Sequence, residues 1–180
     1  PPVTIDRPIP PDSPSKTDRF RQVFRRHPAG VVLVTAAGPD GPVAMTATSV
    51  CSVNADPALM IFSASGMSSS TPALRQAESV VIHMLDESVV HLAKLGSTSG
   101  IDRFEDRALW ETLPTGEPRF TDATTWVRGR VIDRMEAPGA TVFLVEALDI
   151  EVPAVELDAR ALVYHDRAWH ALGEHSRIAS

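Results

Sequence analysis

The predicted fold depends on one stretch, Met45-Thr46-Ala47-Thr48-Ser49-Val50-Cys51-Ser52-Val53-Asn54-Ala55-Asp56-Pro57. It lies between two apolar segments, Gly30–Ala36 and Leu59–Ser63, that are typical of buried strands. Its short hydroxyl side chains and backbone amides, without net positive charge, suit a flat ligand with polar edges. The same residues are equally typical of an ordinary strand, rich in Thr and Ser, that ends in a turn.

The length and composition indicate a single domain. At 180 residues the chain can bury one hydrophobic core. Its 17 basic and 23 acidic residues give a net charge of −6. The basic residues form no long stripe, which weakly disfavours nucleic acid as a partner. No apolar run reaches the roughly 20 residues of a membrane span, and no signal peptide is recognisable. We therefore expect a cytoplasmic protein with no membrane partner.

The cysteine and the histidines indicate neither a disulfide nor a metal site. Cys51 is the single cysteine, so it has no internal partner, and we expect it to be a small buried side chain rather than a reactive thiol. The six histidines show no spacing typical of metal ligands.

Three segments are expected along the chain: an extended, Pro-rich arm over residues 1–16, one domain over residues 17–175, and a short tail over residues 176–180. Thr17 or Asp18 can cap a first helix whose apolar face carries Phe20, Val23 and Phe24. The arginines on its other faces favour a solvated surface over a phosphate site.

The remaining pattern predicts a mainly β protein. Gly30–Ala36 is typical of a strand buried on both faces, and the quoted stretch and Ala58–Ser63 follow as two further strands of an antiparallel meander. Additional strands are predicted at Ser79–Leu85, Thr125–Met135, Ala140–Val152 and in a hairpin over 161–172, with short helices at 71–76 and 88–95 and a surface loop over Ala108–Phe120. Without repeated βαβ spacing, an antiparallel barrel with a few short helices is expected.

Three further groups of residues could contact a ligand. Ser68, Ser69 and Thr71 precede or begin a predicted helix, where phosphate can bind, although a Ser-rich linker fits as well. His83 lies alone in an apolar strand and is more typical of a satisfied core residue. Asp102-Arg103-Phe104 can serve as a loop anchor or as a lid over a ligand.

The order of several short motifs resembles the short-chain flavin reductases with an FMN-binding split barrel. The motifs are Phe20…Phe24, Pro28-Ala29-Gly30-Val31, Val34-Thr35, Met45 to Val53 with Asp56-Pro57, Asp102-Arg103-Phe104, and Leu162-Val163-Tyr164…Trp169…Leu172. The resemblance covers about residues 19–172, and its early block is the more specific part.

The resemblance implies a homodimeric split β-barrel that binds FMN or FAD, oxidises NADH or NADPH, and passes reduced flavin to a separate monooxygenase. It also implies which residues contact the flavin. Thr46, Ala47, Thr48 and Ser49 would line the ring and ribityl chain, Ser52 and Val53 would face the ring edge, Ser68, Ser69 and Thr71 would face the phosphate, and His83, Arg103 and Phe104 would complete the site.

Hydride transfer between two stacked rings requires positioning rather than an acid, base or nucleophile. We therefore expect no catalytic side chain. One departure from the family pattern leaves an alternative open: Pro138-Gly139-Ala140 stands where many members have Gly-Asp-His, a motif near the nicotinamide. A flavin-binding carrier or redox partner without reductase activity is that alternative.

Overall fold

A computed structural model describes residues 14–154 and 159–179. Most of the predicted arm, residues 1–13, therefore lies outside the described part. The first helix, α1, spans Lys16–Arg25 and begins after Ser15, whose hydroxyl accepts a hydrogen bond from the Asp18 backbone N–H. The cap is thus Ser15 rather than Thr17 or Asp18, because the serine oxygen reaches an N–H group of the first turn.

Strands dominate the described residues, as predicted. The strands are β1 Ala29–Gly30, β2 Val32–Gly38, β3 Gly41–Ala47, β4 Cys51–Ala55, β5 Ala58–Ser65, β6 Ser79–Met84, β7 Trp110–Thr112, β8 Pro118–Phe120, β9 Thr125–Ala137, β10 Ala140–Glu151, β11 Leu162–His165 and β12 Ala168–Ala171. The other helices are α2 Thr71–Gln76 and α3 Val90–Ser97, with 3₁₀ turns at Glu87–Val89 and Glu174–Ser176.

Seven strands form one antiparallel sheet in the order β3-β2-β6-β9-β10-β5-β4. The predicted meander is therefore wrong in one respect. The quoted stretch is not one strand but two, because it leaves the sheet after Ala47 and re-enters at Cys51 on the opposite edge. β3 and β5 also pack in the same core, so the sheet is rolled into a split antiparallel barrel.

The core lies on both sides of β2, whose first five residues are all buried. Val32 and Val34 point into the rolled sheet, where the Phe62 and Phe143 rings stack with centroids 4.7 Å apart. Leu33 points to the other side, into a second cluster that contains Leu92 of α3. The prediction of a strand buried on both faces is confirmed.

The segment Ala108–Phe120 is not a plain surface loop. Strands β7 and β8 pair within it, and the Phe120 side chain at its end is completely buried. Phe120 packs near the Phe104 ring, with centroids 5.3 Å apart, so the hairpin covers the second cluster. In the part of the chain that the structure describes, no helix combines the length and apolar character needed to cross a membrane.

Candidate functional site

A cavity of about 550 Å³ lies where β3, the start of α2 and the end of α3 meet. Most of its lining is small and polar: Met45, Thr46, Ala47, Thr48, Ser49, Ser63, Ser65, Met67, Ser68, Ser69, Gly96, Ser97, Ser99, Gly100 and Arg103. The structure thus brings together seven of the twelve residues predicted to bind a cofactor. Of these lining residues, Arg103 alone carries a charge.

The floor of the cavity requires a close approach between α3 and β3. A Cβ atom at Gly96 would lie 2.4 Å from the Thr46 Oγ1 atom and 2.8 Å from the Thr46 backbone nitrogen. The Thr46 hydroxyl in turn donates a 2.7 Å hydrogen bond to the Ala93 carbonyl. Only glycine at position 96 allows α3 to pack this close to the strand.

Arg103 supplies the positive charge of the cavity. Its Nε donates to the Leu95 carbonyl at 3.2 Å and its Nη2 to the Thr98 carbonyl at 2.7 Å, so the guanidinium also caps the end of α3. A longer contact of 3.4 Å joins Nη1 to the Ser70 hydroxyl. These bonds use three of the five N–H groups that a guanidinium carries.

No carboxylate forms a salt bridge with Arg103 among the described residues. Partial burial lowers the pKa of its guanidinium below the usual value, yet an arginine stays protonated in proteins. A partly desolvated, uncompensated cation with free N–H groups is suited to an anionic ligand group.

The serines before α2 differ in what they offer to a ligand. Ser68 and Ser69 line the cavity. Thr71 does not, because its side chain is buried and its hydroxyl donates to the Ser65 carbonyl. Ser70 is likewise buried and donates to the Ala44 carbonyl at 2.8 Å. In this structure the Thr71 hydroxyl thus holds the turn and is not among the groups that line the cavity.

Ser49 lies in the segment that crosses from one edge of the sheet to the other. Its hydroxyl accepts a 2.9 Å hydrogen bond from the Ser63 N–H and donates one of 3.1 Å to the Ser63 carbonyl. The segment 48–50 lies outside both flanking strands, so its backbone amides are not committed to the sheet ladder. The hydroxyl of Ser49 is thus used in the fold, while the adjoining backbone is accessible.

A second cavity of about 1160 Å³ shares Thr48, Ser49 and Ser63 with the first. It lies between α1, the segment around Val50 and the turn that joins β11 to β12. Aromatic and basic side chains contribute to its wall: Phe20, Arg21, Phe24, Arg25, His27, Tyr164, His165 and Arg167. Together the two cavities offer a small polar end with a cation and a wide end with aromatic side chains.

Besides Thr71, four predicted site residues lie outside the smaller cavity. Ser52 and Val53 are exposed on β4, at a bulge of the strand, and line neither of these cavities. Phe104 is buried against Trp110, with centroids 5.0 Å apart, a position that fits the predicted role of a loop anchor. The expectation of a buried Cys51 is also wrong, because this residue begins an edge strand and is exposed.

His83, the fourth, is a core residue and lies away from the cavities. Its side chain is 0% exposed, its Nδ1 lies 2.9 Å from the Leu33 carbonyl, and its Nε2 accepts a 3.0 Å hydrogen bond from the Phe120 N–H. The ring is therefore neutral, with its proton on Nδ1. Burial lowers the pKa of His83 to about 4. The residue pattern alone favours a core position, and the structure places His83 there, outside the lining of both cavities.

Sequence reasoning missed several lining residues, notably Ser63, Ser65, Gly96, Ser97 and Ser99. The signal that could have found the last three is the segment 96–100, which is rich in Gly and Ser and stands close to Arg103 in the chain. Its composition alone is typical of a mobile loop, because nothing in the sequence shows that α3 packs on β3.

Ala140, the position that departs from the family pattern, pairs with Ser65 of the cavity wall. The turn before it is held by a 2.8 Å hydrogen bond from the Gly66 N–H to the Gly139 carbonyl. The Pro138-Gly139 turn thus lies beside the smaller cavity.

The chain belongs to the flavin reductase like domain family, whose model matches residues 24–173. An NADH:FMN oxidoreductase of Rhodococcus qingshengii is 42% identical over 154 residues, which cover 84% of this chain and 79% of the relative. A solved flavin reductase domain protein from Arthrobacter sp. FB24 is 31% identical with a TM-score of 0.81, over 87% of this chain and 96% of that chain.

A further solved structure with the same fold is BorF, the flavin reductase component of a bacterial two-component tryptophan halogenase. It is 26% identical with a TM-score of 0.77, over 88% of this chain and 99% of that chain. The family and the split-barrel fold predicted from the sequence are confirmed.

Proposed function

We propose that this chain is an NADH-dependent flavin reductase that transfers a hydride from NADH to FMN or FAD. One observation carries the proposal: the uncompensated Arg103 lies among short hydroxyls in a cavity that shares its wall with a wider, aromatic one. A flavin mononucleotide has the same two-part character, with a phosphate at one end and a ring system at the other. The name of the Rhodococcus relative supports FMN and NADH as the substrates.

The described residues fit a bound flavin at the phosphate end. The two free N–H groups of Arg103 can bind phosphate oxygens, and Ser68 and Ser69 add hydroxyls. Thr46, Ala47 and Thr48 line the route from this end toward the wider cavity. Arg103 is the one positively charged residue in the lining of the smaller cavity. We therefore assign it the main role in binding the phosphate.

At the wide end, segment 48–50 lines the cavity, and its backbone amides are available to contact the edge of the ring. When bound, the flavin supplies the hydride-accepting atom, N5, and the nicotinamide of NADH supplies the hydride. The protein orients the rings and excludes water, so a general acid or base is not needed. Tyr164 and Phe24 present flat side chains to this cavity and can bound the space for the second ring.

Two parts of the proposal concern partners. BorF is named as the reductase component of a two-component halogenase, which supports a separate flavin-dependent oxygenase as the recipient of the reduced flavin. We also propose a homodimer, since large apolar side chains such as Met135 remain exposed on the barrel wall. We also propose that the protein is cytoplasmic, which is consistent with NADH as its hydride donor.

Anaerobic stopped-flow absorbance at the flavin band tests the proposal. The protein is mixed with FMN or FAD and an excess of NADH, and in a parallel series with NADPH. Bleaching much faster than in the protein-free control would establish the reductase and identify the donor. Flavin binding without bleaching by either nucleotide would contradict it and favour the carrier alternative, with Ala140→His as the first variant to examine.

A further inference from the structure

Arg103 lies on a part of the chain that has no regular secondary structure. Between the end of α3 at Ser97 and the start of β7 at Trp110 the backbone forms neither a helix nor a strand. The carbonyls of Leu95 and Thr98 hold the guanidinium, but they fix only the tip of the side chain. An arginine loses much rotamer freedom when it is ordered. Its backbone must therefore be fixed as well if the guanidinium is to be in place before a ligand arrives.

The next residue, Phe104, fixes this backbone. Its side chain is 7% exposed, and its ring packs edge-on against the Trp110 ring, with centroids 5.0 Å apart. Its carbonyl accepts a 3.0 Å hydrogen bond from the indole Nε1 of Trp110. Trp110 thus contacts both the ring and the carbonyl of the residue that follows Arg103.

The hairpin that carries Trp110 is itself attached to the large sheet. Trp110 pairs with Phe120 across β7 and β8. The Phe120 side chain is 0% exposed, and its N–H donates a 3.0 Å hydrogen bond to Nε2 of His83 in β6. Glu117, just before β8, is 2% exposed and forms a 2.8 Å salt bridge with Arg128 of β9. Buried polar contacts of this kind are costly to break, so the hairpin is a firm support for the indole.

We propose that Trp110 is a positioning residue for phosphate binding: by holding Phe104, it keeps the Arg103 guanidinium in the wall of the smaller cavity. This inference rests on the phosphate role proposed for Arg103 above. Trp110 lines neither cavity, so it acts on the ligand only through the chain. Because the phosphate then meets a guanidinium that is already ordered, less of the ordering cost falls on the binding step.

Trp110→Phe removes the indole donor and keeps an aromatic ring against Phe104. Trp126→Phe is the matched control. Trp126 is also a half-buried strand residue that lines neither cavity, and it contacts the same hairpin through Arg119, which lies 5.6 Å from its ring centroid. Its indole forms no hydrogen bond in the part of the chain that the structure describes. Circular dichroism verifies that each variant is folded.

Fluorescence titration with FMN and with riboflavin measures the effect on binding. Trp110→Phe should weaken FMN binding roughly three- to tenfold, as expected for the loss of one hydrogen bond, and should leave riboflavin binding nearly unchanged. Trp126→Phe should change neither affinity. In an Arg103→Ala background Trp110→Phe should have little further effect on FMN, because the side chain that it positions is absent.

The NMR signal of the Arg103 Nε–H group gives a readout that needs no flavin. In the wild-type protein this proton should exchange slowly with water, because Nε donates to the Leu95 carbonyl. It should exchange faster in Trp110→Phe and remain slow in Trp126→Phe, and its absence from Arg103→Ala identifies the signal. Phe104→Leu, a second variant, reduces the ring contact with Trp110 and should act in the same direction. It decides the question if Trp110→Phe does not fold.

The possible failures are distinguishable. An unchanged FMN affinity or an unchanged Arg103 signal in Trp110→Phe would overturn this inference and leave the proposed reductase untouched. Equal losses for FMN and riboflavin, or equal losses with and without Arg103, would overturn it in favour of a general structural role. If Arg103→Ala itself weakened FMN no more than riboflavin, the phosphate role of Arg103 would fail and this inference with it. The stopped-flow assay would still decide the reductase activity separately.

Discussion

We propose that phosphate recognition depends mainly on Arg103. Replacement by alanine removes the charged donors of the smaller cavity. A hydrogen bond to a charged group contributes about 1.5–3 kcal/mol, so FMN should bind roughly 10- to 100-fold more weakly. Riboflavin has no phosphate, and its affinity should change little. Fluorescence titration of both flavins gives the comparison, and an equal loss for the two would contradict the assignment.

His83 should make stability depend on pH. Its pKa is about 4 in the folded protein, against the ordinary histidine value of 6.5 that applies to the unfolded chain, so the unfolded chain binds the extra proton first. The contribution is complete above pH 6.5 and is lost as the pH falls toward 4, by about 3 kcal/mol in total.

Urea unfolding at pH 7, 5.5 and 4.5 measures this slope. His83→Asn should be less stable at pH 7 and show a flatter slope, while exposed His175, changed to glutamine, serves as the control. An unchanged slope in His83→Asn would show that other groups dominate. The two hydrogen bonds of the ring, to Leu33 and Phe120, join segments far apart in sequence, which the sequence alone does not reveal.

At the scale of elements, the contact of α3 with β3 controls the shape of the site. Gly96→Ala would force its Cβ into Thr46 and Leu33, at 2.4 Å from atoms of each. Overpacking of this kind costs about 1–3 kcal/mol, and the displaced helix end would also weaken FMN binding. Thermal unfolding and FMN titration measure the two effects.

Gly30→Ala is the matched control, because a Cβ at that position has no atom within 4 Å. Loss of stability without loss of FMN affinity in Gly96→Ala would separate α3 from the site. No local sequence signal identifies this glycine, since its constraint comes from Thr46, fifty residues earlier in the chain.

The elements themselves were largely predictable, whereas the strand break was not. The β-branched runs of β2 and β6 and the long hairpin of β9 and β10 follow from local pattern. The residues of segment 48–50, Thr-Ser-Val, have strand propensity, yet they cross between the edges of the sheet. Propensity describes the local backbone and does not indicate which neighbour a strand will pair with.

At the scale of the whole molecule, Ser49 fastens the segment that crosses between the two sheet edges to β5. Ser49→Ala removes both hydrogen bonds to the Ser63 backbone, and a loss of about 1 kcal/mol is expected because water can replace one partner of each. Ser52→Ala is the control, on an exposed strand position with no side-chain hydrogen bond in the described structure.

Hydrogen exchange gives the specific readout. The Ser63 amide should exchange faster in Ser49→Ala and remain unchanged in Ser52→Ala. Equal protection of Ser63 in both variants would mean that the Ser49 hydroxyl does not hold the crossing segment against β5. The composition and motif order predicted the fold class correctly, but the pairing of the two edges depends on contacts that only the folded chain contains.

The smaller cavity is built from chain segments around residues 46, 68, 96 and 103, which fold against one another only when the sheet has rolled. Bringing distant segments together costs loop-closure entropy, so we expect the phosphate end to be absent from partly folded chains. FMN can therefore bind only after the folding barrier has been crossed. Added flavin should slow unfolding and leave the folding rate unchanged. It should therefore protect the protein by lengthening the lifetime of the folded state.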